Sequence, residues 1–157
     1  MSTAITLDAI KSTQKKLADM IATFEAQSSA ISLPVTISKP DLAEGEVWIG
    51  AIIAADGRAH HIVLLPGECD DIDWQAAKDW ATEHGGDLPN RVEGALLFSA
   101  ARDEFQKDAY WMCELHAAVS GYAWCQGFSI GTQASSHTFS QLRARAVRRI
   151  PLSNSSL

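Results

Sequence analysis

A thiol, a carboxylate and an imidazole lie close together in the sequence, at Cys113, Glu114 and His116. Nucleophilic catalysis combines these groups, because an imidazole can take the proton of a thiol and a carboxylate can orient the imidazole. On an extended strand, however, Cys113 points away from Glu114 and His116, so we expect no direct contact between thiol and imidazole. The sequence therefore predicts no catalytic residue, and we expect the protein not to be an enzyme.

Histidines and cysteines are the next candidates, because both types bind transition metals. The chain contains five histidines, His60, His61, His84, His116 and His137, and three cysteines, Cys69, Cys113 and Cys125. A zinc site needs three or four converging ligands, and this spacing predicts none. The cysteines lack a Cys-x-x-Cys pair, and an odd number cannot all pair within one chain. We expect no metal ion, no cofactor and reduced thiols.

Four acidic side chains follow the dipeptide Pro66-Gly67, namely Glu68, Asp70, Asp71 and Asp73. Clustered carboxylates suit calcium, but this spacing does not match an EF-hand loop. Acidic residues that lead into a helix are also favoured by capping and by the helix dipole. We prefer the capping interpretation, since Trp74, Ala77, Trp80 and Ala81 recur at helical spacing directly afterwards.

Composition and charge limit the class of protein. A chain of 157 residues with 46% hydrophobic content is long enough for one sizeable core. The formal charge of −6 argues against general nucleic-acid binding, which requires a basic surface. No apolar run is long enough for a membrane span, and the first residues lack the order of a signal peptide.

The first 28 residues predict a helical arm. Its apolar side chains recur at heptad spacing, with Ile10, Leu17, Ile21 and Phe24 as the predicted oligomerisation residues, and Thr13 and Gln14 interrupt the pattern. The stripe either joins copies of the chain or packs on its own domain, and we favour oligomerisation because a proline-containing linker at residues 29–39 follows it.

A hairpin is predicted from Val47 to Leu65, with Asp56-Gly57 as a two-residue type I′ turn. That turn sets Ile53 opposite His60 and makes both faces of the hairpin apolar, so we expect it deep in the domain. A second helix is predicted from a capping box at Asn90 and Glu93. Its predicted buried stripe consists of Val92, Ala95, Leu96 and Ser99, and is widened by Leu97, Phe98 and Ala101.

Two alternating segments come later in the chain. Residues 121–131 and 142–150 alternate with period two, so each predicts one strand. The second strand carries Arg143, Arg145, Arg148 and Arg149. These arginines could clamp an anionic ligand, but we favour internal ion pairs with the acidic residues. Residues 115–120 and 132–140 are predicted loops.

A set of residues in these segments resembles a known family. The set comprises Tyr110-Trp111, Ala123-Trp124, Phe128, Gly131, the arginine-rich run at 143–149 and the segment from Leu88 to Glu93. It resembles the C-type-lectin-fold domain of the Lcl C-terminal-domain family, found in bacteria and phages and related in fold to phage tropism determinants. The resemblance implies an α+β domain at residues 40–151, with two helices on mainly antiparallel strands and a tail at 152–157.

In tropism determinants of this fold, the exposed face beside the last strands binds the receptor. Carried over, the resemblance implies a non-enzymatic module of a phage or prophage that binds a host protein or glycan, in a virion or tail. The candidate binding residues are Glu114, His116, Gln133, Ser135, Ser136, His137 and Thr138, and the serine-rich part has the composition of an adaptable paratope loop. Solvated connections without a ligand explain the same composition equally well.

The alternative function is a small cytosolic phage effector that binds and inhibits a host defence protein, for which an acidic surface would be suited. For either function we expect synthesis in the bacterial cytoplasm without a signal peptide. The site of action would be the virion or the host cytoplasm.

Overall fold

A computed structural model describes residues 6–30 and 37–152. The chain divides into two compact units, one containing the helix α1 (Leu7–Ala30) and one beginning at Ile37. The helix ends two residues beyond the predicted arm. Residues 1–5 of that arm, 31–36 of the predicted linker and 153–157 of the predicted tail lie outside the described residues, so the proposed domain boundaries stay predictions.

The second unit is a mixed α+β domain, as predicted. Its strands are β1 (Val47–Ile53), β2 (Ala59–Leu64), β3 (Cys69–Ile72), β4 (Ala109–Leu115), β5 (Tyr122–Gly127), β6 (Gln133–His137), β7 (Leu142–Ala144) and β8 (Val147–Pro151). Its helices are α2 (Trp74–Glu83), α3 (Arg91–Ala100) and a 3-10 turn, Arg102–Glu104. The strands form a three-stranded sheet in the order β1-β2-β8 and a five-stranded sheet in the order β3-β7-β4-β5-β6. Only β4 and β7 pair in parallel among these neighbours.

The turn between β1 and β2 differs from the predicted one. Ala54 accepts a hydrogen bond from the Gly57 amide at 2.9 Å and donates its own amide to the Arg58 carbonyl at 2.8 Å. Gly57 has a φ of +84°, which is in the left-handed region, and it is the last residue of a three-residue loop. The predicted register was therefore wrong by one residue, and Ile52 rather than Ile53 lies opposite His60.

The two strands of this hairpin differ in burial. In β2, Ile62, Val63 and Leu64 are fully buried, because this strand is central and pairs with β1 and β8. Strand β1 is an edge strand, and Ile53 at its end is 59% exposed. The expectation of a deeply buried hairpin was right for β2 and wrong for β1.

The arginine-rich segment forms two strands rather than one. Strand β7 pairs with β3 and β4, whereas β8 pairs with β2 in the other sheet. Arg145 and Ala146 connect the two, and the Ala146 carbonyl accepts a hydrogen bond from the Leu65 amide at 3.0 Å. The alternation of side chains continues from β7 through Arg145 and Ala146 into β8. A period of two indicates extended backbone but does not indicate which sheet a strand joins.

Both helix caps are confirmed. The Asp73 carboxylate accepts from the Ala76 amide at 3.0 Å at the start of α2. Asn90 and Glu93 form the reciprocal capping box at the start of α3. The acidic segment is thus partly a strand and partly a cap, which supports the capping interpretation over the calcium one.

The buried face of α3 is not the predicted stripe. Leu97 is buried as predicted, but the other fully buried residues are Glu93 and Gly94, whereas Val92 is 64% exposed. Gly94 explains this orientation, because a Cβ at that position would lie 2.6 Å from the Met112 sulfur. The missing side chain lets the helix approach β4 and β5 closely on this side.

Two clusters of buried side chains form the core of the unit. One surrounds Trp111 and includes Ala77, Ala81, Leu88 and Ala144. The other surrounds the stacked rings of Phe105 and Phe128, whose centroids are 3.8 Å apart, and includes Tyr110. Strand β4 contributes to both clusters, so it fixes the sheet on which the candidate site is built.

Candidate functional site

The serine-rich segment that was predicted as a loop is mostly strand β6. It pairs antiparallel with β5, so that Ser135 lies opposite Trp124 and His137 opposite Tyr122. These four side chains consequently project from the same face of the sheet. β6 is the last strand of the five-stranded sheet in the described chain, so its outer edge has no strand partner there.

Rings and one guanidinium form a continuous surface on this side, which we call the aromatic face. Its members are Arg91, His116, Tyr122, Trp124, Ser135, His137 and Phe139. The Arg91 guanidinium carbon lies 3.8 Å from the centroid of the Trp124 ring. The His116 ring stacks on Trp124 with centroids 5.0 Å apart. This geometry is that of a cation–π contact and an aromatic stack.

The second half of the aromatic face continues toward the end of β6. His137 contacts Tyr122 edge to face with centroids 5.4 Å apart and Phe139 with centroids 5.2 Å apart. Phe139 is 78% exposed, and Leu115 and Val119 are exposed near the same end of the sheet. A cluster of exposed apolar side chains with polar neighbours is typical of an interaction surface.

Some polar groups of the aromatic face have no hydrogen-bond partner among the described residues. The Arg91 Nε donates to Gln133 at 3.2 Å, while its two terminal nitrogens have no hydrogen-bond partner within the described residues. The His137 Nδ1 accepts from the Phe139 amide at 3.3 Å, so the neutral ring carries its proton on Nε2. A ligand could therefore accept hydrogen bonds from both side chains.

Two of the predicted binding residues hold Arg91 in place. The Gln133 amide nitrogen donates to the Arg91 carbonyl at 2.6 Å and to Gln126 at 3.0 Å. The Glu114 carboxylate accepts from the Arg91 amide at 2.7 Å, at the start of α3. Glu114 and Gln133 thus hold the backbone of Arg91, and Gln133 also accepts from its side-chain Nε, beside the ring of Trp124.

The structure places the remaining predicted residues differently. Ser135, His116 and His137 belong to the aromatic face, whereas Ser136 lies on the opposite side of β6. Thr138 follows the strand, and its carbonyl accepts from the Trp74 amide at 3.0 Å. The sequence analysis did not include Arg91, Tyr122, Trp124 and Phe139 among the binding residues. The available signal was the alternation of residues 121–131, which puts Tyr122 and Trp124 on one face of a strand, and this face is fully buried only at Gln126 and Phe128.

The thiol and imidazole considered for catalysis lie in separate surroundings. Cys113 packs against the core cluster around Trp111, whereas His116 stacks on Trp124. Burial raises the pKa of the Cys113 thiol above its ordinary value, which keeps it protonated near neutral pH. The structure therefore does not bring together an activated nucleophile and a base at these two positions.

The arginines of β7 and β8 form ion pairs inside the unit. Arg149 donates to both oxygens of Glu93 at 2.7 Å and to Asp87 at 3.2 Å, and His60 lies 3.2 Å from Glu93. Arg148 pairs with Glu46 at 2.7 Å, and Arg143 pairs with Glu68 and Asp108. Arg145 instead donates to backbone carbonyls of Glu104 and Leu65. The interpretation as internal ion pairs is confirmed for three of the four arginines.

Glu93 is the most enclosed charge of this group. Its side chain is fully buried. Burial alone would raise the pKa of its carboxyl, but the hydrogen bonds from Arg149 and from the Asn90 amide outweigh this and lower the pKa. Glu93 is therefore ionised at neutral pH and balanced by Arg149.

Comparison with known proteins gives no direct assignment. No protein-family model matches the sequence, and no curated protein matches it significantly.

Within residues 6–30 and 37–152, no group of three histidine, cysteine, aspartate or glutamate side chains could hold a metal ion. In the same ranges, every helix is too short or too polar to cross a bilayer.

Proposed function

We propose that this protein is a non-enzymatic binding module of phage or prophage origin, which recognises a protein or glycan on a bacterial host through the aromatic face. The observation that supports this proposal is the continuous set of partly exposed rings around Trp124 and His137, with Arg91 held above Trp124. Trp124 packs with one side against the core cluster around Phe105 and Phe128, and the exposed parts of these rings, which contribute little to folding, are available to a ligand.

The architecture supports a C-type-lectin-like domain as the scaffold of this site. Helices α2 and α3 pack on mainly antiparallel strands, which is the arrangement that the sequence resemblance implies. The aromatic face lies on β5 and β6, the turns that flank them and the start of α3. In this proposal it takes the role of the exposed face through which tropism determinants bind their receptors.

The chemistry of the aromatic face suits ligands with both apolar and oxygen-rich surfaces. Aromatic rings supply contact area at a low entropic cost, and arginine and serine supply hydrogen bonds around them. The terminal nitrogens of Arg91 and the Nε2 of His137 are donors, so the ligand would present hydroxyl, carbonyl or carboxylate oxygens. Glycans and polar peptide segments both have such groups.

The test uses the full chain and envelope fractions from bacteria. Binding is measured to immobilised outer-membrane fragments and to purified surface polysaccharides. We compare the wild type with the double variant His137→Ala/Phe139→Ala. Because anchor residues of an interface contribute strongly, we expect the double variant to bind at least about tenfold more weakly. Periodate treatment abolishes binding if the ligand is a glycan, and protease treatment abolishes it if the ligand is a protein.

Ile130→Ala is the matched control, because Ile130 is 77% exposed and lies outside the aromatic face in the turn after β5. It should bind as the wild type does. Equal binding by all three proteins, or no binding by the wild type to any envelope fraction, would overturn the proposal.

The alternative function is a cytosolic effector that binds a host defence protein. The net charge of −6 favours it, because an acidic surface can occupy a site that normally holds nucleic acid. The two functions differ in the location of the partner. Tight binding to a purified soluble defence complex, together with no binding to envelopes, would favour the effector.

A further inference from the structure

Helix α1 exposes an ordered apolar seam. Every described side chain from Leu7 to Ala26 is exposed. Its larger apolar residues are Leu7, Ile10, Leu17, Ile21 and Phe24, between 47% and 71% exposed, with Met20 beside them. The five follow the alternating three-and-four spacing of a coiled coil, with Gln14 at the one polar position of the seam.

Charged side chains lie mainly away from this seam. In the same heptad frame, Asp8, Lys15, Lys16 and Asp19 occupy outer positions, and Lys11 and Glu25 border the seam. Most of the stability of a helix in a protein comes from packing of its apolar face rather than from helix propensity, so this seam favours a partner. A seam at heptad spacing is complementary to a second copy of itself, because knobs from one helix fit holes of the other.

Gln14 distinguishes between the two possible orientations. In an antiparallel pair with full overlap, Gln14 would face Leu17 of the partner copy, and Lys11 would lie beside Glu25 of the partner copy. An exposed ion pair contributes little, whereas an amide buried against leucine leaves its donors and acceptor without partners. In a parallel, in-register assembly Gln14 faces its own equivalent, and the two amides can hydrogen-bond to each other.

We propose that α1 joins copies of this chain into a parallel, in-register coiled coil in which Gln14 lies in the core and sets the register. Each copy's second unit then continues from the same end of the assembly. An assembly that carries several ligand sites binds a surface with many ligands at a higher effective affinity than a single site does. The inference rests on α1 alone and does not depend on the ligand of the aromatic face.

The first experiment measures the mass of the full chain in solution by size-exclusion chromatography with light scattering. We expect the wild type to be an oligomer and Leu17→Glu, which places a charge in the seam, to be a monomer. Lys16→Glu introduces the same residue at an outer position and should keep the wild-type mass. Near-UV circular dichroism reports whether the tryptophan-containing unit stays folded. A monomeric wild type at about 100 μM, or equal masses for the two variants, would overturn the inference.

The second experiment tests the orientation by disulfide trapping. Under mild oxidation, Gln14→Cys should form a covalent dimer on non-reducing gels, because equivalent positions face each other in a parallel assembly. The wild type, with Cys69, Cys113 and Cys125, is the control for background dimers. If Gln14→Cys alone stays monomeric on the gel, and a mixture of Gln14→Cys and Leu17→Cys chains cross-links, the helices are antiparallel and the proposed role of Gln14 is wrong.

Discussion

The ion-pair network around Glu93 and the aromatic face use similar residue types in opposite ways. In the network, the Arg149 guanidinium is held by Glu93, Asp87 and the Leu88 carbonyl, and His60 lies against the same carboxylate. In the aromatic face, Arg91 is held at one nitrogen and His116 stacks on a partly exposed ring. Arg149 is balanced by acidic side chains of the protein, whereas the terminal nitrogens of Arg91 have no hydrogen-bond partner among residues 6–30 and 37–152.

This difference indicates where stability and binding reside. A buried charge that loses its partner costs several kcal/mol, so the network constrains the fold. A partly exposed cation over a ring costs little to maintain and can still interact with a ligand. Helix α3 carries residues of both regions, Glu93 toward the network and Arg91 toward the aromatic face. Substitutions in the two regions should therefore have separable effects.

The largest effect is expected from Arg149→Ala. This change leaves the fully buried Glu93 carboxylate without its main partner, so the free energy of unfolding should fall by about 3–5 kcal/mol. Urea denaturation followed by tryptophan fluorescence measures the loss. Adding Glu93→Gln in the same chain removes the unbalanced charge and should restore part of the stability. A loss below about 1 kcal/mol for Arg149→Ala would mean that the network does not constrain the fold.

Gly94→Ala tests the element that the two regions share. The new methyl group would meet the Met112 sulfur at 2.6 Å, so α3 must shift away from the sheet. We expect a loss of about 1–3 kcal/mol in unfolding free energy and, because Arg91 moves with the helix, weaker ligand binding as well. Ala95→Gly, on the exposed side of the same helix, should lower stability by at most about 1 kcal/mol and leave binding unchanged.

Acid should weaken the network in a defined direction. The folded-state pKa of Glu93 is lowered, so its contribution is fully present above the ordinary carboxyl value of 4.5 and is lost as the pH falls through the folded-state pKa. Glu46 and Asp87 have lowered pKa values too and add to the loss. Thermal unfolding between pH 7 and pH 3 should show a smaller decrease in Tm for Glu93→Gln than for the wild type. Parallel curves would exclude Glu93 as a contributor.

The smallest effect on stability is expected in the aromatic face. Phe139→Ala removes a ring that is mostly in solvent, so unfolding free energy should change by less than about 0.5 kcal/mol. Its binding to envelope fractions should nevertheless decrease. A destabilisation of 2 kcal/mol or more, about the size of a core truncation, would show that Phe139 belongs to the fold, which would remove the contrast with the network.

Local signals in the sequence predicted the helix caps correctly. Asp73 caps α2 by accepting from the amide of Ala76, and Asn90 and Glu93 cap α3. Each cap joins residues that are three apart in the sequence. Hydrophobic spacing also predicted α1, and the family resemblance implied the α+β class. These features could be predicted because the interactions that produce them span one turn of helix or one strand.

Features that depend on distant partners were missed. The first hairpin is an exception, because its shift of one residue is local: Asp56-Gly57 permits a three-residue loop as readily as a two-residue turn. β6 was predicted as a loop because its serines lack strand propensity, yet pairing with β5 stabilises it. Arg91 reaches Trp124 only because Gly94 seats α3 against the sheet. No short window of sequence contains that information.

The pairing of β2 with β8 also bears on how the chain folds. Leu64 pairs with Val147, so about two thirds of the second unit lies between these two residues in the sequence. Closing such a long segment is entropically costly, and folding dominated by distant pairings is slow. During synthesis, the apolar strand β2 is made long before β8, so the edge of β2 that later pairs with β8 has no partner in the meantime. The nascent chain is therefore vulnerable to aggregation until the arginine-rich strand leaves the ribosome.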